Sequence, residues 1–399
     1  MDANPSNLPI CVFGRSVYSD GMNEKIETIS TALIVGGGIG GMAAAICLAE
    51  RGVDVEIVDL DPEWRVYGAG ITITGVTLRA YKQLGMVEEI AAKGAITNGS
   101  GVYLFSGEHL RDLDEPIIED GLPATGGIMR PILHEIMQER IRPLGIGVRL
   151  GVSVSQLENG GADVDVTLSD GSKGRYDLVV GSDSVHSHVR KLAFPHMSEP
   201  MRTGQGCWRI SIEKPPMLEK GEMYFGHKYT VGITQCGKNA VYLWMLTPHE
   251  RRQNHFDEDE LFARLKANLE GFGHSAGWIR ENMTRDHWIN YRPLAAKLQP
   301  GPWSNGRIVL LGDAVHATTP HLASGAGMAV ESAIVLGQEL AKAAHAEQAL
   351  EAYQARRFER CRDIVETSIA IGAAQLEGVS PDRVGAMIGG ALHRLAAPY

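Results

Sequence analysis

Gly36, Gly38 and Gly41, with Ile39 and Gly40 between them, follow the apolar run Thr31–Val35 and precede an alanine-rich stretch over residues 42–50. A strand that breaks into G-x-G-x-x-G and resumes as a helix is suited to a pyrophosphate. The first glycine permits the tight turn, the second lets backbone approach the phosphates, and the third lets the helix pack on the strand. The phosphates then sit on the helix N-terminus. Asp59, about 18 residues past the last glycine, ends the next strand-like run and can accept hydrogen bonds from a ribose. An ordinary turn would use the glycines alone; strand, helix and terminal carboxylate together favour a dinucleotide. At the other end of the chain, residues 306–311 run into Gly312, Asp313 and Ala314. A strand ending in Gly-Asp-Ala suits the ribityl chain of a flavin, because glycine allows close approach and the carboxylate accepts from hydroxyls.

These residues need elements to hold them. Gly52 caps the first helix, and the alternating residues 53–58 complete a βαβ unit. Helical spacing recurs over residues 76–93 and 131–140, and strand-like pieces cover 101–105, 148–154, 164–168 and 177–180. Between residues 204 and 290 the texture changes to short strands at 221–225, 229–234 and 241–245, interrupted by an acidic helical stretch at 257–269. A buried-looking strand at 307–311 and helices at 327–341 and 349–369 follow, and no internal repeat is evident.

Composition narrows the function classes. The 399 residues are 44% hydrophobic, enough for about two domains with a sizeable core. With 38 Lys+Arg against 48 Asp+Glu, the net charge of -10 argues against a nucleic-acid partner. Cys11, Cys47, Cys207, Cys236 and Cys361 are scattered without a CxxC, so no metal site or disulfide framework is expected, and a reducing cytoplasm is. No apolar run reaches the roughly 18 residues of a membrane span. The segment before Glu24 lacks the pattern of a secretory leader and reads as a floppy extension, with Met22 an alternative start. There is no Gly-x-Ser-x-Gly elbow and no Trp-x-Trp-x-Ile-Pro segment.

Taken together, the early glycine turn and the late Gly-Asp-Ala strand resemble the aromatic-ring hydroxylases of the group A flavoprotein monooxygenases. A third motif lies between them. Residues 177–190, with Asp183 at the centre, are similar to the Asp-Gly fingerprint that in this family serves both FAD and the nicotinamide. Ser184 replaces the glycine there, a change tolerated if its φ is negative. Residues 320–333 most resemble the flavin loop of the 6-hydroxynicotinate 3-monooxygenase and salicylate hydroxylase branch, with Ser324 and Ser332 departing from it. In that loop Pro320, Gly325, Ala326, Gly327 and Met328 precede or open a helix, whose N–H groups and dipole would stabilise negative charge on reduced flavin. The resemblance also places a FAD-contacting arginine at Arg130 and a second at Arg65, and brings the stretch Tyr67-Gly68-Ala69-Gly70-Ile71, with Thr72, near the isoalloxazine. A solvated arginine is the plain alternative at Arg130.

The fold implied is α/β: a Rossmann-like, doubly wound FAD-binding domain with a mixed sheet, a smaller β-sheet substrate domain, and C-terminal helices. Its expected boundaries are a flexible extension over 1–30, a discontinuous FAD-binding domain over 31–97, 123–200 and 289–345, a substrate domain over 98–122 and 201–288, and helices over 346–399.

On the substrate side, the resemblance sets Tyr229 facing the ring and His321 beside the flavin. An imidazole with an ordinary pKa near 6.5 suits proton transfer at neutrality, and a tyrosine suits a relay. Either could equally be a packed residue. Arg209 could anchor a substrate carboxylate or form a structural ion pair. His227 and Tyr224 are weaker candidates. The implied activity is hydroxylation of a small phenolic or hydroxypyridine-type aromatic by O2 and NADH or NADPH through an FAD C4a-hydroperoxide, with loss of CO2 where a carboxylate occupies the attacked carbon. A monomer or homodimer is expected. The alternatives are an FAD-dependent reductase or dehydrogenase on the same scaffold, and a non-catalytic dinucleotide-binding sensor.

Overall fold

The structure is a computed structural model that describes residues 24–66, 68–226, 228–249 and 256–399. Cys11, Met22, Tyr67, His227 and most of the expected extension lie outside the described residues. The last part of that extension is described, and it corrects the expectation of flexibility. Ile26 and Ile29 are buried, the Ile26 N–H donates to Arg51 O at 3.1 Å, and the Asp177 carboxylate accepts from the N–H groups of Ser30 and Thr31. Two apolar side chains that can reach the core outweigh the polar composition around them.

Thr31–Val35 is apolar on both faces, as a central parallel strand must be. It pairs in parallel with Asp54–Asp59 on one side and Leu178–Gly181 on the other. The sheet continues outward to Gly147–Leu150 at one edge, and through Ile308–Leu310 to the antiparallel Ser304–Asn305 at the other. This mixed six-stranded sheet puts the ends of Thr31–Val35, Leu178–Gly181 and Ile308–Leu310 side by side. The glycine turn and Gly312 are therefore neighbours, although some 270 residues separate them in sequence. Ligands of open α/β sheets bind at the carboxyl ends of the strands, where strand order reverses.

A second sheet has seven strands, in the order Ile289–Leu298, Met201–Glu213, Ala240–Pro248, Thr230–Gln235, Gly221–Phe225, Gly99–Leu104 and His109–Asp114. Ile289–Leu298 was expected in the nucleotide domain; its ladder with Met201–Glu213 places it here. Opposite residues of an antiparallel ladder share a face, and faces alternate along each strand. On one face Trp208, Ile210, Val231, Ile233, Leu243 and Met245 form a core with Leu265, Leu269, Ala276 and Ile279 of the helical segments behind. The other face turns to the nucleotide domain, where Gly70 packs so closely that a Cβ on it would lie 2.2 Å from Cys236 Sγ and 2.4 Å from the Tyr242 ring.

A three-stranded antiparallel sheet of Gly70–Thr74, Thr125–Met129 and Ala95–Thr97 bridges the two large sheets. The helix Gly325–Lys342 packs on the first helix, Ile39–Ala49, and the 31-residue Ala346–Leu376 lies against it. That long helix ties both sheets together. Tyr353 Oη donates to Leu310 O at 3.2 Å, and Gln375 Oε1 accepts from Gln205 Nε2 at 3.1 Å.

Candidate active site

The glycines of the first turn separate into two kinds. Gly36 has φ +105°, and a Cβ there would lie 2.4 Å from Ser182 O; a Cβ on Gly41 would lie 1.8 Å from Gly36 O. The chain's own packing demands both. A Cβ on Gly38 would meet nothing within 4 Å, so it borders open space at the N-cap of Ile39–Ala49, a helix with no side-chain cap. Uncapped N–H groups facing open space beside a glycine are a donor set that fits a pyrophosphate. Gly40 packs towards Ser182 Oγ and Leu311.

Asp59 braces the same turn. Its two carboxylate oxygens accept from the N–H groups of Gly37 at 2.7 Å and Asp61 at 2.8 Å. Each oxygen keeps a further lone pair, so the half-buried carboxylate can still accept from a ribose hydroxyl. Two residues not anticipated from sequence lock the turn from below. Trp64 Nε1 donates to Gly37 O at 2.9 Å, and His134 Nε2 approaches the same oxygen at 3.3 Å, the two rings meeting edge to face. Arg65 sits at the rim, its guanidinium paired with Glu63 at 2.7 Å and near Asp61.

Across the strand ends, Gly312 has φ +67°, which only glycine adopts without strain. Asp313 opens the short helix Asp313–His316 and faces the open cleft. The surrounding protein pushes its carboxyl pKa upward, and Arg130 pulls it back. Arg130 is the first residue of Arg130–Ile141. Burial and then the nearby charge of Arg209 depress its guanidinium, while Tyr242 and Asp313 oppose the shift. Both arginines are half-buried. Among the described residues, no side-chain hydrogen bond or ion pair satisfies either guanidinium.

The loop over 320–328 ends at Gly325–Lys342, another helix without a side-chain cap, since Ser324 Oγ donates instead to Leu322 O at 2.7 Å. The first-turn N–H groups of Gly325, Ala326 and Gly327 are thereby left for an outside acceptor. Pro320 begins the 3-10 turn ahead of them. Met328 does not belong to that set: its N–H donates to Ser324 O at 2.8 Å and its side chain is buried. Gly327 is required by packing, because a Cβ would lie 2.3 Å from Thr77 Oγ1. Ser332 accepts from Arg357 Nε at 3.2 Å, and the adjacent Glu331 supplies the charge that pairs Arg357 and Arg360.

Three expected site residues have other tasks. Asp183 caps the helix His188–Ala193, accepting from Ser187 Oγ and from the N–H groups of His188 and Val189. Ser184 beside it has φ +74°, so the condition under which serine replaces glycine there without strain is not met. His321 donates from Nε2 to Gln375 Oε1 at 3.2 Å and accepts at Nδ1 from Thr319 Oγ1 at 2.8 Å, the tautomer this network assigns. Burial lowers its pKa to about 4. An imidazole bonded at both nitrogens and that weakly basic is a poor general base. Tyr229 packs against the helix-covered core, beneath Lys228 Nζ at 4.9 Å from its ring, and Tyr224 is buried in the same core. Strand alternation turns both away from the nucleotide domain.

The face that does turn towards it carries Arg209, Trp244 and Gly232 in one row and Ser211, Tyr242 and Thr234 in the next. The Trp244 ring lies over Gly232, where a Cβ would be 2.2 Å from its Cζ2. Tyr242 Oη lies 3.1 Å from Thr72 Oγ1, which lies 3.0 Å from Thr234 Oγ1. Burial raises the Tyr242 pKa, keeping the phenol neutral. Tyr242 and Trp244 were legible only as alternate residues of one strand.

Among the described residues, no helix is long and apolar enough to cross a membrane, and no cluster of His, Cys, Asp and Glu could hold a metal ion. Residues 29–368 match the family described as FAD binding domain. YetM of Bacillus subtilis, named as an FAD-dependent monooxygenase, is 33% identical over 87% of this chain and 94% of its own length. The 2-heptyl-3-hydroxy-4(1H)-quinolone synthase of Pseudomonas aeruginosa is 32% identical over 86% of this chain and 88% of its own. In fold, the chain is similar to Klebsiella pneumoniae HpxO in complex with FAD and uric acid, with a TM-score of 0.80 and 23% identity over 92% of this chain and 97% of that one.

Proposed function

Since the chain belongs to the FAD binding domain family and is, like its relatives, an FAD-dependent monooxygenase of aromatic substrates, we propose that it hydroxylates a small aromatic acid of the phenolic or hydroxypyridine type, using NADH or NADPH and O2. The observation that carries this reading is the pair Arg130 and Arg209, two half-buried like charges beside one another with no satisfying partner among the described residues. An anion relieves their repulsion and can be gripped in bidentate fashion.

Bound FAD supplies the reduction of dioxygen and the delivery of one oxygen atom to an electron-rich ring carbon. The chain's residues do the rest. Gly38 and the first turn of Ile39–Ala49 hold the pyrophosphate, Asp59 a ribose and Asp313 the ribityl hydroxyls. The N–H groups of Gly325, Ala326 and Gly327 stabilise negative charge at the flavin's polar edge. Arg209 orients the substrate carboxylate, with Arg130 shared between it and the cofactor. Trp244 walls the ring from water. The neutral Tyr242 phenol, held by the Thr72 hydroxyl, hydrogen-bonds the ring hydroxyl and orients it. Arg65, Asp183, Met328 and His321 act from behind, shaping the loops that carry these groups. Cys47, Cys207, Cys236 and Cys361 are free and buried thiols, which suits a reducing cytoplasm.

The test is NAD(P)H oxidation by the purified yellow protein across a panel of hydroxylated benzoates and pyridine carboxylates, with product mass determined. Stimulated oxidation with a product heavier by one oxygen supports the reading, and concurrent loss of CO2 marks the decarboxylating form. Stimulated oxidation without a hydroxylated product overturns it in favour of a reductase.

A further inference from the structure

Beyond the arginine pair lies a small recess of a different character. It occupies the gap between the three-stranded sheet and the neighbouring edge of the seven-stranded one, with a volume of about 30 Å³, room for one small polar group. Its side chains are all polar: Thr72, Thr97, Ser100, Thr125 and Thr234 offer hydroxyls, Gln235 an amide and Glu115 a carboxyl. Glycine strands form the remainder of the wall, so no apolar side chain lines it. Thr72 belongs to both places, since the hydroxyl that lines this space also meets Tyr242 Oη at 3.1 Å on the substrate face.

Glu115 is the one ionisable side chain in that lining. It is half-buried, and burial pushes its carboxyl pKa up, against a hydrogen bond with Thr125. The Thr125 hydroxyl already has Ile73 O as an acceptor at 3.2 Å, so its one hydrogen is shared and the carboxyl stays undersupplied with donors. A carboxyl with spare acceptor capacity in a wall of neutral hydroxyls disfavours a second carboxylate and favours a neutral donor.

We propose that this cavity reads an N–H group on the aromatic substrate, an amino substituent or a ring N–H, with Glu115 accepting its hydrogen bond. The inference rests on the aromatic-acid reading above and sharpens it: the substrate is a nitrogen-bearing aromatic acid, its carboxylate at Arg209 and its N–H at Glu115. An aliphatic tail has no apolar wall to lie on here. A site built to bond an N–H discriminates against the analogue lacking it more strongly than an apolar pocket separates homologues.

The experiment uses the holoenzyme and matched ligand pairs, salicylate against its amino derivatives and pyridine carboxylates against the corresponding pyridones. Steady-state kinetics are measured with Kd from the flavin absorbance change. The wild type should favour the best N–H-bearing member by about tenfold or more in KM and Kd. Glu115→Leu should abolish that preference while leaving the plain member within about threefold. Glu115→Gln, whose carbonyl still accepts and whose shape is kept, should retain part of it, and it stands in should the leucine variant fail to fold by flavin content and Tm. Equal affinities within every pair, or a preference that survives both substitutions, would overturn the inference and leave the cavity a place for water alone. Absence of turnover with every aromatic acid is a separate result: it overturns the hydroxylase reading, while the Kd comparison still reports on the cavity.

Discussion

Tyr224 and Tyr242 stand two strands apart in one sheet, both are nearly inaccessible, and burial raises the pKa of both. Their surroundings differ in one respect that separates architecture from function. Behind the sheet, Tyr224 donates to Glu222 and accepts from the Ala276 N–H at 3.2 Å; Glu222 accepts also from Ser275 Oγ at 2.8 Å and faces His274 Nδ1 at 3.1 Å. That network closes on itself. In front, Tyr242 reaches Thr72, but among the described residues nothing pairs the neighbouring guanidiniums of Arg209 and Arg130. Closed polar networks hold a fold together, whereas open ones next to a cleft await a ligand.

The most severe way to break this comparison is to empty each side of its charge. Glu222→Ala should cost about 3–5 kcal/mol of folding stability, because it strands the buried Tyr224 and Ser275 hydroxyls and the half-buried His274. Chemical denaturation measures this, and the folded, flavin-loaded fraction should turn over normally. Arg209→Ala should do the reverse, weakening kcat/KM for aromatic acids by about 2–5 kcal/mol with no loss in Tm. If the stability and turnover effects were exchanged between the two variants, the distinction between the faces would collapse.

His321 sharpens the comparison, since it lies in the loop ahead of Gly325–Lys342 yet is closed like the rear network. With its pKa lowered to about 4 and that of buried His316 to about 3, both bind a proton in the unfolded chain before they do in the folded one. Stability from these groups is therefore complete above pH 6.5 and declines as pH falls towards 4, by roughly 1–2 kcal/mol per histidine at pH 5. His321→Gln should flatten that slope in pH-dependent denaturation while leaving the acid limb of kcat/KM unmoved. A shifted acid limb would restore His321 as the base. Tyr242→Phe should cost about 1 kcal/mol in kcat/KM, with the loss largest for substrates bearing a ring hydroxyl.

What could be read from the sequence, and what could not, follows the same division. Gly36, Gly41 and Gly312 are dictated by local backbone geometry and close approach, so their spacing is visible in the chain. The face on which an aromatic residue falls is decided by strand parity, which a loop of uncertain length obscures. Tyr229 was set against the ring, but it precedes Thr230 by one residue and so packs to the rear. The polar cavity joins residues from six strands and a connecting loop, and no short window of sequence contains it. Asp183 and His321 were legible only by residue type, through the family resemblance; their engagement with Ser187 and Gln375 depends on tertiary contacts.

Ser184 yields the smallest effect and isolates backbone from side chain. At φ +74° its Cβ crowds the backbone, a cost of roughly 1 kcal/mol that glycine avoids, offset in part by the greater freedom glycine has when unfolded. The residue is exposed, so its replacement opens no core cavity, and its neighbour Asp183 keeps its three donors. Ser184→Gly should therefore raise stability by about 0.5–1 kcal/mol, seen as a small rise in Tm at constant flavin content. A fall in Tm would mean that the serine hydroxyl contributes more to the turn than its strained backbone takes away.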